Sequence, residues 1–193
     1  MVTTLVADEP FVELRHYPPG DARDPASHAQ YFMHAHRRRR EAAHIHCFIR
    51  AAGIPKTMAR VGRRTALARR RTMTHVLAVS LDRVGRPAGL FTTNKWVTAD
   101  DWYDAEDLIG LLPHMSWAAA DGPPQVNRAL SALFRLYRLP ITKLLRRRDR
   151  HLTAWAKSHP RQDVFEDRRL EVLSRTRLNL EKTLARLRGS LED

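Results

Sequence analysis

Residues 30–50, QYFMHAHRRRREAAHIHCFIR, constrain the fold more than any other stretch of this chain. Two short runs within it alternate in character with a period of two. Even positions hold Gln30, Phe32, His34 and His36, then His44, His46, Phe48 and Arg50; odd positions hold Tyr31, Met33 and Ala35, then Ile45, Cys47 and Ile49. Side chains alternate across a strand, so the odd set reads as an apolar face and the even set as a histidine-bearing face. A helix is the competing reading, because Arg39–Ala43 is rich in strong helix formers. A 3.6-residue period, however, scatters the apolar residues around the cylinder and sends His34 and His36 about 200° apart. The strand reading is preferred, with Arg37–Ala43 as the connection.

The rest of the chain is read around this pair of strands. Residues 1–29 form an irregular lead-in, with turn chemistry at His16-Tyr17-Pro18-Pro19-Gly20-Asp21. Residues 51–73 carry seven cations and no acid, the pattern of a solvated basic loop. THVLAVSLD at 74–82 and AGLFTTNKW at 88–96 flank the turn Val84-Gly85-Arg86-Pro87 and read as a hairpin. From residue 100 the spacing becomes helical. Segments are expected from Asp100-Asp101 to Leu112, from Gln125 to Leu139, and from Pro140 to Ser158. A last amphipathic helix is expected over Glu166–Leu191, packed on the sheet or paired with a second copy of the chain. The expectation is one α+β domain spanning 1–193, with an antiparallel sheet of about four strands in 30–98 and helices in 99–193.

The histidines carry the chemistry. If His36 faces His44, then His34 faces His46, and four imidazoles share one patch. Cross-strand partners lie about 4.5–5.5 Å apart and same-face neighbours about 6.5–7 Å, within reach of one ion. Imidazole is the commonest metal ligand near neutral pH. A nitrogen-rich set, with Glu41 available as a carboxylate, suits Fe(II), Cu or Zn and disfavours Mg and Ca. Three ligands would leave a coordination position open for water or substrate, the catalytic arrangement. The alternative is a polar strand surface on which histidines happen to be numerous.

Other residues qualify by position. Gln30 shares the even face, where an amide would orient a bound water, and Asn94 on the fourth strand would bind substrate. His16 and Asp21 would fold over the patch as a further ligand and its carboxylate acceptor, or else make a turn with local hydrogen bonds. His75 opens an apolar strand and reads as a semi-buried histidine. Cys47 points to the core face and reads as a small hydrophobe.

His34-x-His36-x4-Glu41 resembles, in ligand type, the first metal motif of the cupins. A longer likeness spans most of 14–175. His16-Tyr17-Pro18, Gln30-Tyr31 before His34-Ala35-His36, His44-x-His46, Phe91-Thr92-Thr93-Asn94-x-Trp96 and Val164-Phe165-Glu166-Asp167-Arg168 together resemble an uncharacterised bacterial family. That resemblance implies no mechanism.

Charge and composition narrow the function classes. Lys+Arg is 34 against 21 acids, for a net charge of +13. Such a surface attracts anions: nucleic acid, anionic lipid, or phosphate- and carboxylate-bearing ligands. The single cysteine permits no internal disulfide and no cysteine-based zinc or iron–sulfur site. No apolar run approaches a membrane span and no signal peptide is visible, so cytoplasmic residence is expected. The leading expectation is a transition-metal protein acting as an oxygen-using oxidoreductase on a small anionic substrate, with a metal-dependent hydrolase as the nearest variant. A basic nucleic-acid-binding module contacting phosphate through 51–73, and an interaction protein working through the C-terminal helix, are the alternatives from other classes.

Overall fold

A computed structural model describes residues 12–35, 43–62 and 73–192. Six antiparallel strands form one sheet in chain order: β1 (Tyr17–Arg23), β2 (Ala29–His34), β3 (Ala43–Arg50), β4 (Met73–Leu81), β5 (Pro87–Thr93) and β6 (Val172–Arg177). Between β5 and β6 lie α1 (Lys95–Thr98), α2 (Ala105–Leu111), α3 (Pro124–Leu136) and α4 (Arg138–Ser158). After β6 comes α5 (Leu180–Glu192). The α+β expectation is met, with six strands in place of about four.

The alternation in 30–50 sets the two faces as read. Tyr31, Met33, Ala35, Ile45, Cys47 and Ile49 all lie in the main core cluster, with Leu77, Val79, Leu81 and Leu90 from β4 and β5. Helical residues cover this face, among them Leu108 and Leu111 of α2, Leu130 and Phe134 of α3, and Ile141, Leu144 and Leu145 of α4. Each buried leucine or phenylalanine contributes about 1.5–3 kcal/mol, so this apolar layer supplies the main stabilisation. Cys47 is fully buried within it, and burial pushes its thiol up, away from the reactive thiolate form.

Two strands fall where none was expected. β1 lies in the lead-in, at the edge of the sheet, where prolines cost no ladder bond. Its register with β2 shifts between Tyr17 and Ala22, and Gly20 and Asp21 take the left-handed backbone there, at φ +82° and +62°. This bulge lifts Pro18–Asp21 out of the regular ladder. β6 occupies part of the segment read as one long helix from Glu166, so helix survives only as α5. Leu184 and Leu187 of α5 stay exposed, at 40% and 42%. Of the expected basic loop, residues 51–62 are described and 63–72 lie outside the described residues. Among the described residues no helix is long and apolar enough to cross a membrane.

Candidate metal centre

The sheet face opposite the helices carries the histidines. The β2–β3 register pairs His34 with His44 and Phe32 with His46. This differs by two residues from the expected pairing of His34 with His46. A shift of two keeps every side chain on its face, so the alternation holds while the partners change. His36 and Glu41 lie outside the described residues.

Three ring nitrogens converge. His34 Nε2 lies 2.8 Å from His44 Nε2 and 3.2 Å from His46 Nε2. His34, His44 and His46 form a group of potential metal ligands, with ligand atoms all within 4.8 Å of one another. Bonds of about 2.0–2.1 Å to one metal separate its nitrogens by about 2.9 Å at right angles and about 3.3 Å at tetrahedral angles. The separations of His34 Nε2 from the other two nitrogens, 2.8 and 3.2 Å, lie within about 0.1 Å of that range. Proton chemistry supports the same reading. A neutral imidazole nitrogen is either donor or acceptor, so one proton on His34 Nε2 does not serve two facing acceptors well. A cation held by three lone pairs removes the conflict.

The rings are held from behind. His46 Nδ1 lies 3.0 Å from His75 Nε2, and His75 Nδ1 lies 3.2 Å from Thr93 Oγ1. Burial, with Arg148 and His44 adding to it, pushes the His75 ring down to about 3, so it is neutral near pH 7. One arrangement of protons then fits the chain of contacts. His75 Nδ1–H donates to Thr93, and His75 Nε2 accepts from His46 Nδ1–H. His46 Nε2 is left as a bare lone pair facing His34 and His44, the tautomer that a metal ligand requires. Phe32 and Phe91 wedge the other rings, with centroids 5.4 Å from His34 and 5.5 Å from His44 respectively.

His75 was legible only as a semi-buried histidine, yet it stands directly behind a ligand. Between Cys47 and Phe48 the β3–β4 register shifts, so Phe48 pairs with His75 while Cys47 pairs with Leu77. The extra residue, Val76, moves His75 off the core parity and onto the histidine face. Its backbone N–H donates to the Asp100 carboxylate. Burial pushes that carboxyl up to about 7, against the opposing pull of His75 N–H, Thr98 and Lys95.

A cavity of about 560 Å³ opens over the triad. Phe32, Phe48, Phe91 and Trp96 wall it, and Glu171 is the one carboxylate lining it among the described residues. His16 also lines it. Its ring stacks on Phe32 at 3.6 Å, and its Nδ1 lies 2.9 Å from Asp21 Oδ1. The bulge in β1 therefore brings the lead-in residues to the patch, with His16 outside the group of three ligands. Gln30 Nε2 donates to Asp21 Oδ2 at 2.8 Å, so this amide orients the carboxylate that holds His16. Asn94 is placed elsewhere. It is fully buried, its Oδ1 accepts the Lys95 N–H at the start of α1, and its Nδ2 donates to the Val164 carbonyl.

The arginines of 146–148 have separate partners. Arg146 makes a two-point ion pair with Glu106, Arg147 donates to the Arg175 carbonyl, and Arg148 is buried against Asp149 and the Tyr103 carbonyl. Arg37–Arg40 lie outside the described residues.

Fold and site together define an α+β protein with a three-histidine candidate metal centre on the face of an antiparallel sheet opposite its apolar core. Residues 1–178 match the family Domain of unknown function (DUF6969), and the chain belongs to that family. No curated protein and no solved structure matches the chain.

Proposed function

We propose that the chain is a transition-metal enzyme whose ion is held by His34, His44 and His46, and that it works as an oxygen-using oxidoreductase on a small anionic substrate. The convergence of three Nε2 atoms, two of the separations being 2.8 and 3.2 Å, carries this reading. Three ligands on one side of an ion leave its other side to the cavity, which distinguishes a catalytic site from a closed structural one. An all-imidazole donor set suits Fe(II), Cu or Zn. Of these, Fe and Cu exchange electrons with oxygen, and the aromatic walls would exclude bulk water from that step. His16, oriented by Asp21 and Gln30, would hand a proton to or from substrate at its Nε2.

The same His16–Asp21 pair favours a second reading, a Zn-dependent hydrolase in which His16 assists attack by a metal-activated water. One experiment decides between them. Protein purified without an affinity tag is analysed for metals by mass spectrometry, then reloaded with Fe(II), Cu(II) or Zn(II) and followed by oxygen uptake. Near-stoichiometric Fe or Cu, with uptake lost in His44→Ala, supports the oxidoreductase. Stoichiometric Zn without oxygen chemistry supports the hydrolase. Failure to retain any of the three metals overturns both.

A further inference from the structure

The same sheet face continues past the histidines to a second cavity of about 570 Å³, and Phe91 lines both. The strand registers define two parallel rows of side chains running across the sheet. One row passes from His34 to His44, Ser80, Gly89 and Arg177. The other passes from Phe32 to His46, Ala78, Phe91 and Arg175. Directly paired residues share a face, so each row runs from the histidine triad to an exposed arginine on β6.

We infer that Arg175 and Arg177 form an anion-binding subsite for the far end of the substrate bound at the triad. Adjacent strands lie about 4.7–4.9 Å apart, which puts the β6 arginines about 14 Å from the β3 histidines at backbone level. Between them the floor is low along the His44 row, where Ser80 and Gly89 bring little or no side chain to the surface, while in the other row the Phe91 ring stands between Ala78 and Arg175 as an apolar wall shared by both cavities. Gly89 has a local reason to be glycine, since a Cβ there would approach the Thr176 carbonyl oxygen at 3.0 Å. The two arginines sit two residues apart on one strand face, about 6.5–7 Å along the backbone. Like charges so placed repel, and an anion between them relieves the repulsion. Asp82 also lines this cavity, but its Oδ1 accepts the Val84 and Arg86 backbone N–H groups at 3.0 and 2.8 Å within its own turn.

The geometry selects an elongated ligand with a reactive or metal-binding head and a terminal carboxylate or phosphate. The guanidinium fork matches both anions in two-point fashion. This subsite rests on the metal reading only for which end of the ligand reacts.

The test has two arms. In the first, protein loaded with Zn(II) is titrated calorimetrically with suberic monohydroxamic acid, its phosphonate-tailed analogue and its neutral methyl ester. The charged tails should bind about tenfold tighter than the ester. An Arg175→Gln/Arg177→Gln double variant, with unchanged zinc content and melting temperature, should bind charged and neutral tails within twofold of each other. The stronger charged tail identifies carboxylate or phosphate as the natural terminus. Equal binding of charged and neutral tails to the wild type, or a preference that survives the double variant, overturns the inference.

In the second arm, phenylphosphonate is titrated against metal-free wild type and double variant. Binding about tenfold weaker in the variant supports the subsite; equal binding overturns it. A chain that takes up no zinc thus defeats the metal reading, while this arm still decides the anion subsite.

Discussion

His46 and His75 meet through their ring nitrogens, Nδ1 of the first 3.0 Å from Nε2 of the second, on adjacent strands of one sheet. The contact joins a candidate ligand to a ring that burial keeps neutral, and so fixes which nitrogen of His46 faces the cavity. Replacing His75 by Phe should leave three ligands in place but release the His46 ring. Metal affinity should fall about 10–100-fold, the usual effect of losing a ligand's hydrogen-bond partner. Competition against a coloured chelator measures it. An unchanged affinity would separate His75 from the site.

The ligands themselves should behave differently from the residues around them. Single Ala substitutions at His44 or His46 should abolish retention of metal through gel filtration, and His16→Ala should retain it within a few-fold. Far-ultraviolet circular dichroism should match the wild type in all three. Loss of metal in His16→Ala equal to that in His44→Ala would make His16 a fourth ligand.

Two buried groups give stability opposite pH dependences. The unfolded His75 ring takes up a proton below about pH 6.5, whereas the folded ring does so only near 3. Between those values the unfolded state binds more protons, so this group's contribution falls as pH drops. Asp100 has the reverse sign. It stays protonated up to about 7 when folded and loses its proton near 3.9 when unfolded, so its contribution falls as pH rises. From about pH 4 to 6.5 the two oppose each other. Removing one with Asp100→Asn should make stability climb with pH across that window, at a slope up to about 1.4 kcal/mol per unit steeper than wild type. Urea melts at pH 4.5, 5.5 and 6.5 read this directly; parallel slopes would refute it.

Arg148 is 1% exposed, although it carries a full charge. Its Nε donates to Asp149 Oδ1 at 2.7 Å, its Nη2 donates to the Tyr103 carbonyl at 2.7 Å, and its Cζ lies 4.2 Å from the Trp102 ring centre. Arg148→Ala removes all three and leaves the buried Tyr103 carbonyl and the half-buried Asp149 carboxylate without this partner. It should cost about 2–4 kcal/mol, the partial exposure of Asp149 lowering the penalty of a fully buried pair. Arg148→Lys, which keeps the charge but loses the fork, should fall between it and the wild type. A cost under about 1 kcal/mol for the alanine variant, measured by denaturant melts, would show the pair to be incidental.

The two faces of β2 and β3 were legible because strict alternation runs through both strands and one face is fully apolar. Their register was not, because a two-residue shift leaves every side chain on the same side of the sheet. His75 hid behind a bulge, which reverses parity without any mark in the local pattern. β1 hid behind prolines and a glycine, which read as a turn and are equally at home in a bulged edge strand. β6 hid because Leu170, Leu173 and Leu180 fit a helical spacing, and the partner that makes Val172–Arg177 a strand lies some eighty residues earlier in the chain. Asn94 was expected to bind substrate, but capping of α1 and a bond to Val164 occupy its buried amide, a role that a strand reading of 88–96 does not show.

The order of the sheet has a consequence for biosynthesis. β1 to β5 follow one another along the chain, whereas β6 emerges only after four helices have been made. Until then β5 presents an unpaired row of amides to the crowded environment of the ribosome, where a bare strand invites wrong partners. The histidine end of the face can assemble early, but the arginine end comes last. A nascent chain halted before residue 172 would therefore carry the candidate ligands on a sheet that still lacks its closing strand.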